Sequence, residues 1–289
     1  MKDFILFLDL IRLKKPIGIM LLFWPCLWGL TLANDFTSNN LQYVIYFIYF
    51  FLGAVLMRSA GCIVNDILDR EYDILVERTK QRPIASGKIS VNLSLIYVII
   101  LCSFAFLILI QFNFTTILLG LASMPFAFSY PLMKRYTYWP QLFLGFTFNY
   151  GLIMAWFSIK PEFSYIPILF YIGAIFWTLA YDTIYGFQDI KDDEIIGVKS
   201  TSIKFKKNPK LLIFICYLIF ILMQIISGLL MEFNYYYYIG IVIIAVHLLF
   251  YQLKNLDISN PKICLEKFKA NNFLGLIVFV NILTNKIYL

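Results

Sequence analysis

Nine stretches of the chain are apolar for close to the roughly 20 residues that a helix needs to cross a bilayer. They run at about 17–34, 41–64, 91–110, 113–133, 139–158, 163–187, 211–230, 235–253 and 272–288. Each is predicted to be an α-helix, because an isolated strand leaves its backbone groups unpaired in lipid. The last stretch is the most diluted, by Asn272, Asn281, Asn285 and Lys286. Polar residues fall in short connections, with no low-complexity segment and no long linker. The pattern therefore predicts an all-α, polytopic membrane protein of about nine helices in one domain, residues 1–289. Two connections break the rule that loops here are short and plain. They are "NDILDREYDILVERTKQRP" (65–83) and "YDTIYGFQDIKDDEIIGVKST" (181–201), each following directly on an apolar run.

Composition agrees with the pattern. The 289 residues are 61% hydrophobic and 14% charged, against roughly 45–50% and 25% in soluble domains. A net charge of +7 does not point to a nucleic-acid partner, because the bases are scattered over loops with no basic face to carry one. Their placement says more about orientation. With the N-terminus inside, the inner segments 1–16, 65–90, 134–138, 188–210 and 254–271 hold 21 of the 24 Lys and Arg. Only Lys160 and Lys286 fall outside, and Arg58 lies within a span. The positive-inside rule then puts both acidic connections on the cytoplasmic or matrix side. The N-terminal stretch does not read as a signal peptide, since Pro16 interrupts it and no small-residue cleavage site follows an early apolar run. The five cysteines stand singly with no CxxC pair, and they read as small apolar packing residues. One histidine, His247, cannot build a His-based metal site alone and reads as a packed helix residue.

The chemistry is concentrated in the two acidic connections, which hold ten of the 17 acids. Arg58, Asn65 and Asp69 are spaced 0, +7 and +11, within about 20° of one helical line, and Asp73 stays near it if the helix continues. Asp182, Asp189 and Asp193 repeat the spacing. Two helices ending in such stripes and facing one another would surround a cavity with hard oxygen ligands. Mg²⁺ prefers these and commonly completes its shell with substrate phosphate oxygens. Interleaved bases (Arg78, Lys80, Arg82, Lys134, Arg135 and Lys199) suit the remaining charge of a diphosphate. Ionisable groups at membrane depth are costly and mark function. Glu71, Glu77 and Glu194 fall off the stripes and read as solvated.

At these residues the chain resembles the UbiA superfamily of intramembrane prenyltransferases. "NDILDREYD" is similar to its NDxxDxxxD motif, and "YDTIYGFQDIKDD" to its second aspartate motif. Further blocks, "RLKKPIGIMLLFWPCLWGL", "ERTKQRPIASGKI", "YPLMKRYTYWPQ", "IGVKST" and "CLEKFKANNFLG", resemble the 4-hydroxybenzoate polyprenyltransferase branch. The resemblance implies nine helices around a central cavity in a bacterial inner membrane, or a mitochondrial one if the source is eukaryotic. It implies Mg²⁺ dependence and transfer of a polyprenyl group from a polyprenyl diphosphate to 4-hydroxybenzoate, ortho to the hydroxyl, early in ubiquinone biosynthesis. By motif, Asn65, Asp69, Asp73, Asp189 and Asp193 would serve the metal. Arg78, Arg82, Tyr130, Lys134, Arg135 and Lys199 would bind diphosphate, Tyr130 and Lys134 matching a YxxxK element.

On that reading Asp69 and Asp189 carry the catalytic load, and Asp182 or Tyr185 assists loss of the ring proton. Arg58 would meet the acceptor carboxylate, unless it forms a permanent ion pair with Asp182; Arg12 is the rival anchor. The alternatives are a naphthoate or tetrapyrrole acceptor within the same family, or a secondary transporter. A transporter shares intramembrane carboxylates and a pseudo-repeat but has no need of bases beside Mg²⁺-type ligands on one face.

Overall fold

A computed structural model describes residues 2–37 and 40–288. Among these every regular element is helical. In chain order they are α1 (Lys2–Leu10), α2 (Ile17–Ala33), α3 (Asn40–Leu68), α4 (Arg70–Asp73), α5 (Val91–Leu109), α6 (Phe114–Ser129), α7 (Met133–Tyr136) and α8 (Pro140–Ile159). They continue as α9 (Tyr165–Gly186), α10 (Ile190–Ile196), α11 (Thr201–Lys204), α12 (Pro209–Leu230), α13 (Tyr235–Val246) and α14 (Pro261–Ile287). A 3₁₀ turn (Tyr130–Leu132) joins α6 to α7, and a π-helix (His247–Lys254) prolongs α13. Seven helices among the described residues are long and apolar enough to cross a membrane. The chain is an all-α, polytopic integral membrane protein.

Two further helices fall short of that standard for physical reasons. Helix α2 has only 17 residues, and 14 of them are buried against other helices. A helix wrapped in protein need not match the thickness of the hydrocarbon. Helix α14 has 27 residues, but its polar positions Lys267, Asn271, Asn281 and Asn285 are turned inward. Trp177 Nε1 donates to Asn271 Oδ1 at 2.7 Å, and Gln252 Nε2 donates to the same oxygen at 3.2 Å. Gln252 Oε1 in turn accepts from Tyr217 at 2.7 Å. This network ties α9, α12, the π-helix and α14 together through groups that would be costly unpaired. It also corrects the expected start of the last helix near residue 272. The helix begins at Pro261, where Asn260 caps it by accepting from the amides of Lys262 and Ile263 at 3.0 and 3.4 Å.

The centre of the bundle is α2, packed on α3, α8 and α14. Close approach rests on small residues, as in other membrane bundles. A Cβ on Gly29 would lie 2.2 Å from the Leu152 carbonyl oxygen, and one on Gly151 would lie 2.3 Å from the Cys26 sulfur. The core is rich in rings, with Trp28, Trp177 and Phe220 mutually packed at centroid distances of 5.1–6.2 Å. By contrast α5 buries only Ser94, Val98 and Leu101, and the rest of its apolar surface faces outward. The polar ends of α3 and α9 emerge on the same side as the loops carrying the bases, which sets the stage for the site.

Candidate active site

The first acidic stretch stays nearly helical. Helix α3 runs on past the apolar run through Asn65 and Asp66 to Leu68. The Asp69 amide then donates to the Asn65 carbonyl at 2.8 Å, and the Asp73 amide to the Asp69 carbonyl at 2.8 Å. Asn65, Asp69 and Asp73 thus share the expected line. The second stretch does not continue as one helix. Helix α9 ends at Gly186, where a Cβ would lie 2.4 Å from the Ser202 hydroxyl oxygen. That hydroxyl donates to the Thr183 carbonyl at 2.7 Å, and the Thr183 and Thr201 hydroxyls are 2.6 Å apart. Helix α11 therefore docks on the end of α9 and turns the chain. Asp182 stays inside α9, Asp189 lies beyond the break, and Asp193 sits on α10. The even spacing presumed an uninterrupted helix, and the break corrects it. Gly197 closes α10 in a left-handed conformation, φ 80°, the usual helix stop.

Four acids each meet a base. Arg78 reaches across from the first stretch to the second, its Nε donating to Asp189 Oδ1 and Oδ2 at 2.8 and 2.9 Å. Its Nη1 donates to the Tyr185 hydroxyl at 3.2 Å. Lys134 Nζ pairs with Asp69 Oδ2 at 2.6 Å. Arg82 Nη1 pairs with Asp73 Oδ2 at 2.7 Å and with Asp66 Oδ1 at 3.1 Å. Asp66 also pairs with Arg12. Two motifs about 120 residues apart in sequence are thereby drawn to one place with bases between them.

The other expected residues are distributed around this knot. Arg135 donates to the Leu68 carbonyl at 2.5 Å and lies over the Tyr72 ring, 5.2 Å from its centroid; Lys134 lies over the same ring at 5.8 Å. Lys199 fastens the segment after α10 to the Lys134 region. Its amide donates to the Lys134 carbonyl at 2.8 Å and its Nζ to the Tyr136 carbonyl at 3.2 Å. Lys80 turns away, pairing with Glu77 at 2.5 Å on the surface. Tyr130, in its 3₁₀ turn, lies within electrostatic reach of Arg58, Asp182 and Arg12. Arg58 and Asp182 act on each other electrostatically, yet no ion pair joins them among the described residues. The Arg58 guanidinium lies over the Phe148 ring at 5.2 Å. It presses on Gly18, where a Cβ would lie 2.6 Å from its Nε.

Several oxygens remain uncommitted. Asp69 Oδ1 is buried with no hydrogen-bond partner, an arrangement that costs energy unless a ligand arrives. Burial and the adjacent Asp189 push the Asp193 carboxyl up to about 6, against the pull of Lys134 and Arg78. Burial likewise raises Asp73, with Arg82 opposing. Among the described residues no group of three acids, cysteines or histidines is gathered at metal-binding range, and Asp73 and Asp189 are paired with arginines. The donor set nevertheless fits a hard divalent cation: Asn65, Asp69 with its free oxygen, and Asp193 all offer oxygen. Asp66 is the residue that sequence spacing overlooked. It lies eight residues from Arg58, about 80° off the stripe, and only its position within the motif marked it.

The model of the UbiA prenyltransferase family matches residues 22–277. The chain belongs to the UbiA prenyltransferase family. It is 42% identical over 281 residues to the mitochondrial 4-hydroxybenzoate polyprenyltransferase of Bos taurus, covering 96% of this chain and 74% of that one. It is 39% identical over 284 residues to the protein of the same name from Dictyostelium discoideum, covering 97% of this chain. The chain spans 60% of the length of that Dictyostelium relative and 78% of the Caenorhabditis elegans one. Among solved structures, a UbiA homolog from Aeropyrum pernix K1 superposes with a TM-score of 0.77 at 20% identity, over 92% of this chain and 97% of that one. A UbiA homolog from Archaeoglobus fulgidus bound to DMAPP and Mg²⁺ gives 0.70 at 17% identity, over 96% and 99%. At these identities the likeness is one of fold, and the expected family is borne out.

Proposed function

We propose that this UbiA family member is a Mg²⁺-dependent 4-hydroxybenzoate polyprenyltransferase. It would move a polyprenyl group from its diphosphate to the acceptor ring, ortho to the hydroxyl, in an early step of ubiquinone biosynthesis. The relatives that share its sequence over nearly its whole length carry that name, and a fold relative binds DMAPP and Mg²⁺. The observation that carries the reading is the Arg78–Asp189 bridge beside the Lys134–Asp69 pair. It joins oxygen ligands of the kind Mg²⁺ prefers to bases of the kind phosphate prefers, at the end of an apolar bundle. In this account residues 1–289 form a single domain of nine membrane-crossing helices, in a bacterial or mitochondrial inner membrane. Its acidic loops face the cytoplasm or matrix.

Asn65, Asp69, Asp73, Asp189 and Asp193 would hold the metal, which supplies charge neutralisation to the diphosphate leaving group. The bases already stand on the acids. As the diphosphate enters, Arg78, Arg82 and Lys134 exchange carboxylate for phosphate oxygens, so little charge is left uncompensated at any stage. Lys134 and Arg135, stacked on Tyr72, and Lys199, fastened beside them, keep the positive wall in place while the C–O bond breaks. Aromatic walls such as Phe148 exclude water from the allylic cation. Arg58, unpaired in the described structure, is free to receive the acceptor carboxylate. Asp182 or Tyr185 assists loss of the ring proton, which restores aromaticity. The test is Asp69→Ala and Asp189→Ala in membranes. Each should abolish Mg²⁺-dependent transfer while the protein still inserts and folds; near-normal turnover of both at saturating Mg²⁺ would refute the assignment.

A further inference from the structure

Asp66 is only 2% exposed, and its Oδ1 accepts from both Arg12 and Arg82. Arg82 divides its Nη1 between Asp66 and Asp73. Arg12 stands at the corner between α1 and α2 with φ 55°, a left-handed conformation that non-glycine residues avoid. Strain of this kind persists only where surrounding contacts hold it and tends to mark functional sites. The contact here is the ion pair to Asp66. Through it the Arg12 guanidinium is tied to the carboxylate that Arg82 also holds, at the end of α3. Two guanidiniums beside one carboxylate oxygen also make that oxygen a poor place for a third cation.

Taking the diphosphate reading above as its basis, we propose that Asp66 is a positioning residue and not a metal ligand. It holds Arg12 and Arg82 as a preset pair of cations facing the diphosphate. The neighbouring Asn65 and Asp69 serve the metal, so adjacent positions of one motif divide the work. Neither arginine is free to wander before substrate arrives, which lowers the ordering cost of binding an anion.

The test uses full-length protein purified in detergent, with Mn²⁺ as a spin probe of the metal site and inorganic pyrophosphate as the probe of the anion site. Asp66→Asn should leave Mn²⁺ affinity within about twofold, weaken pyrophosphate binding about tenfold or more, and raise the prenyl-diphosphate KM more than it lowers kcat. Arg12→Gln should weaken pyrophosphate binding similarly, and adding Asp66→Asn to it should cost little more, because the two act through one contact. Should Asp66→Asn fail to fold, Arg12→Gln and Arg82→Gln carry the test alone: both must weaken pyrophosphate and spare Mn²⁺. A loss of Mn²⁺ binding in Asp66→Asn equal to that in Asp69→Asn would make Asp66 a ligand and overturn the proposal. So would unchanged pyrophosphate affinity in the folded variants. Retained Mn²⁺ affinity in Asp69→Asn is a separate failure: it removes the metal reading on which the proposal rests.

Discussion

Neutralising one acid of the second motif should stabilise the metal-free protein while disabling it. Asp193 is half-buried on α10, beyond the membrane spans, with Asp189 beside it and, among the described residues, no ion pair of its own. Its carboxyl lies at about 6 instead of 3.8. Because the folded value is above the unfolded one, the folded state binds more protons between these limits. Stability from this group is therefore complete below about pH 4, falls as pH rises through about 6, and stays lost at neutrality. At about 1.36 kcal/mol per pH unit the full loss is roughly 3 kcal/mol. Partial access to solvent reduces it to the order of 1–2 kcal/mol. Asp193→Asn cannot ionise, so it recovers that amount at pH 7. With about 2–4 °C per kcal/mol for chains of this size, a Tm rise of a few degrees is expected in detergent without divalent cations. Scans at a fixed rate, in wild type and variant at pH 7.5 and 4.5, measure it. The gain should shrink to about a third at pH 4.5, where folded wild-type Asp193 is protonated and its unfolded counterpart is still largely ionised. Adding Mg²⁺ and pyrophosphate at pH 7.5 should raise wild-type Tm more than that of the variant. A variant less stable than wild type at pH 7.5, or a gain as large at pH 4.5 as at pH 7.5, would refute the reasoning.

Arg58→Leu should raise the acceptor KM about 30-fold or more, the scale of losing one partner of a buried charge pair, with little change in the prenyl-diphosphate KM. It should also flatten the preference for 4-hydroxybenzoate over its methyl ester, and equal losses toward acid and ester in a folded variant would move the carboxylate site away from Arg58. Gly18→Ala, which displaces the Arg58 guanidinium, should reproduce the acceptor defect more weakly, as steady-state kinetics on both substrates would register. Reporters fused after residues 75, 136, 200 or 260 should read cytoplasmic, and those after 36, 160 or 233 outside; an acidic loop reading outside would separate the two motifs.

The membrane-facing part of the fold was legible because lipid leaves little choice. Helix α5, with almost its whole surface outside the core, had to be apolar along its length, and its observed bounds Val91–Leu109 differ by one residue from the apolar run. The start of α14 is hidden in the sequence because Lys267 and Asn271 look like loop residues, although Asn271 Oδ1 accepts from Trp177 and Gln252 inside the bundle. The first stripe was legible since the helical hydrogen bonds continue through Asp69. The second was not, because the break at Gly186 depends on a distant hydroxyl, that of Ser202, which no local spacing reveals. Partner choice was likewise hidden. Spacing placed Arg58 and Asp182 at comparable depth, but only packing decides that Arg58 rests on Phe148 instead of bonding to the acid. Asp66 lies off the stripe, and its importance rests on Arg12 and Arg82, which approach from other segments.

The central claim is prenyl transfer to an aromatic acid by this chain alone. Protein purified in detergent should be incubated with ring-labelled 4-hydroxybenzoate and a series of prenyl diphosphates, with Mg²⁺ or with excess chelator, and the lipid extract analysed by mass spectrometry and NMR. The account predicts a product heavier by one prenyl group, substituted at carbon ortho to the hydroxyl, formed with Mg²⁺ and absent with chelator or in Asp69→Ala. A folded, Mg²⁺-loaded protein that yields no prenylated 4-hydroxybenzoate with any chain length would contradict it.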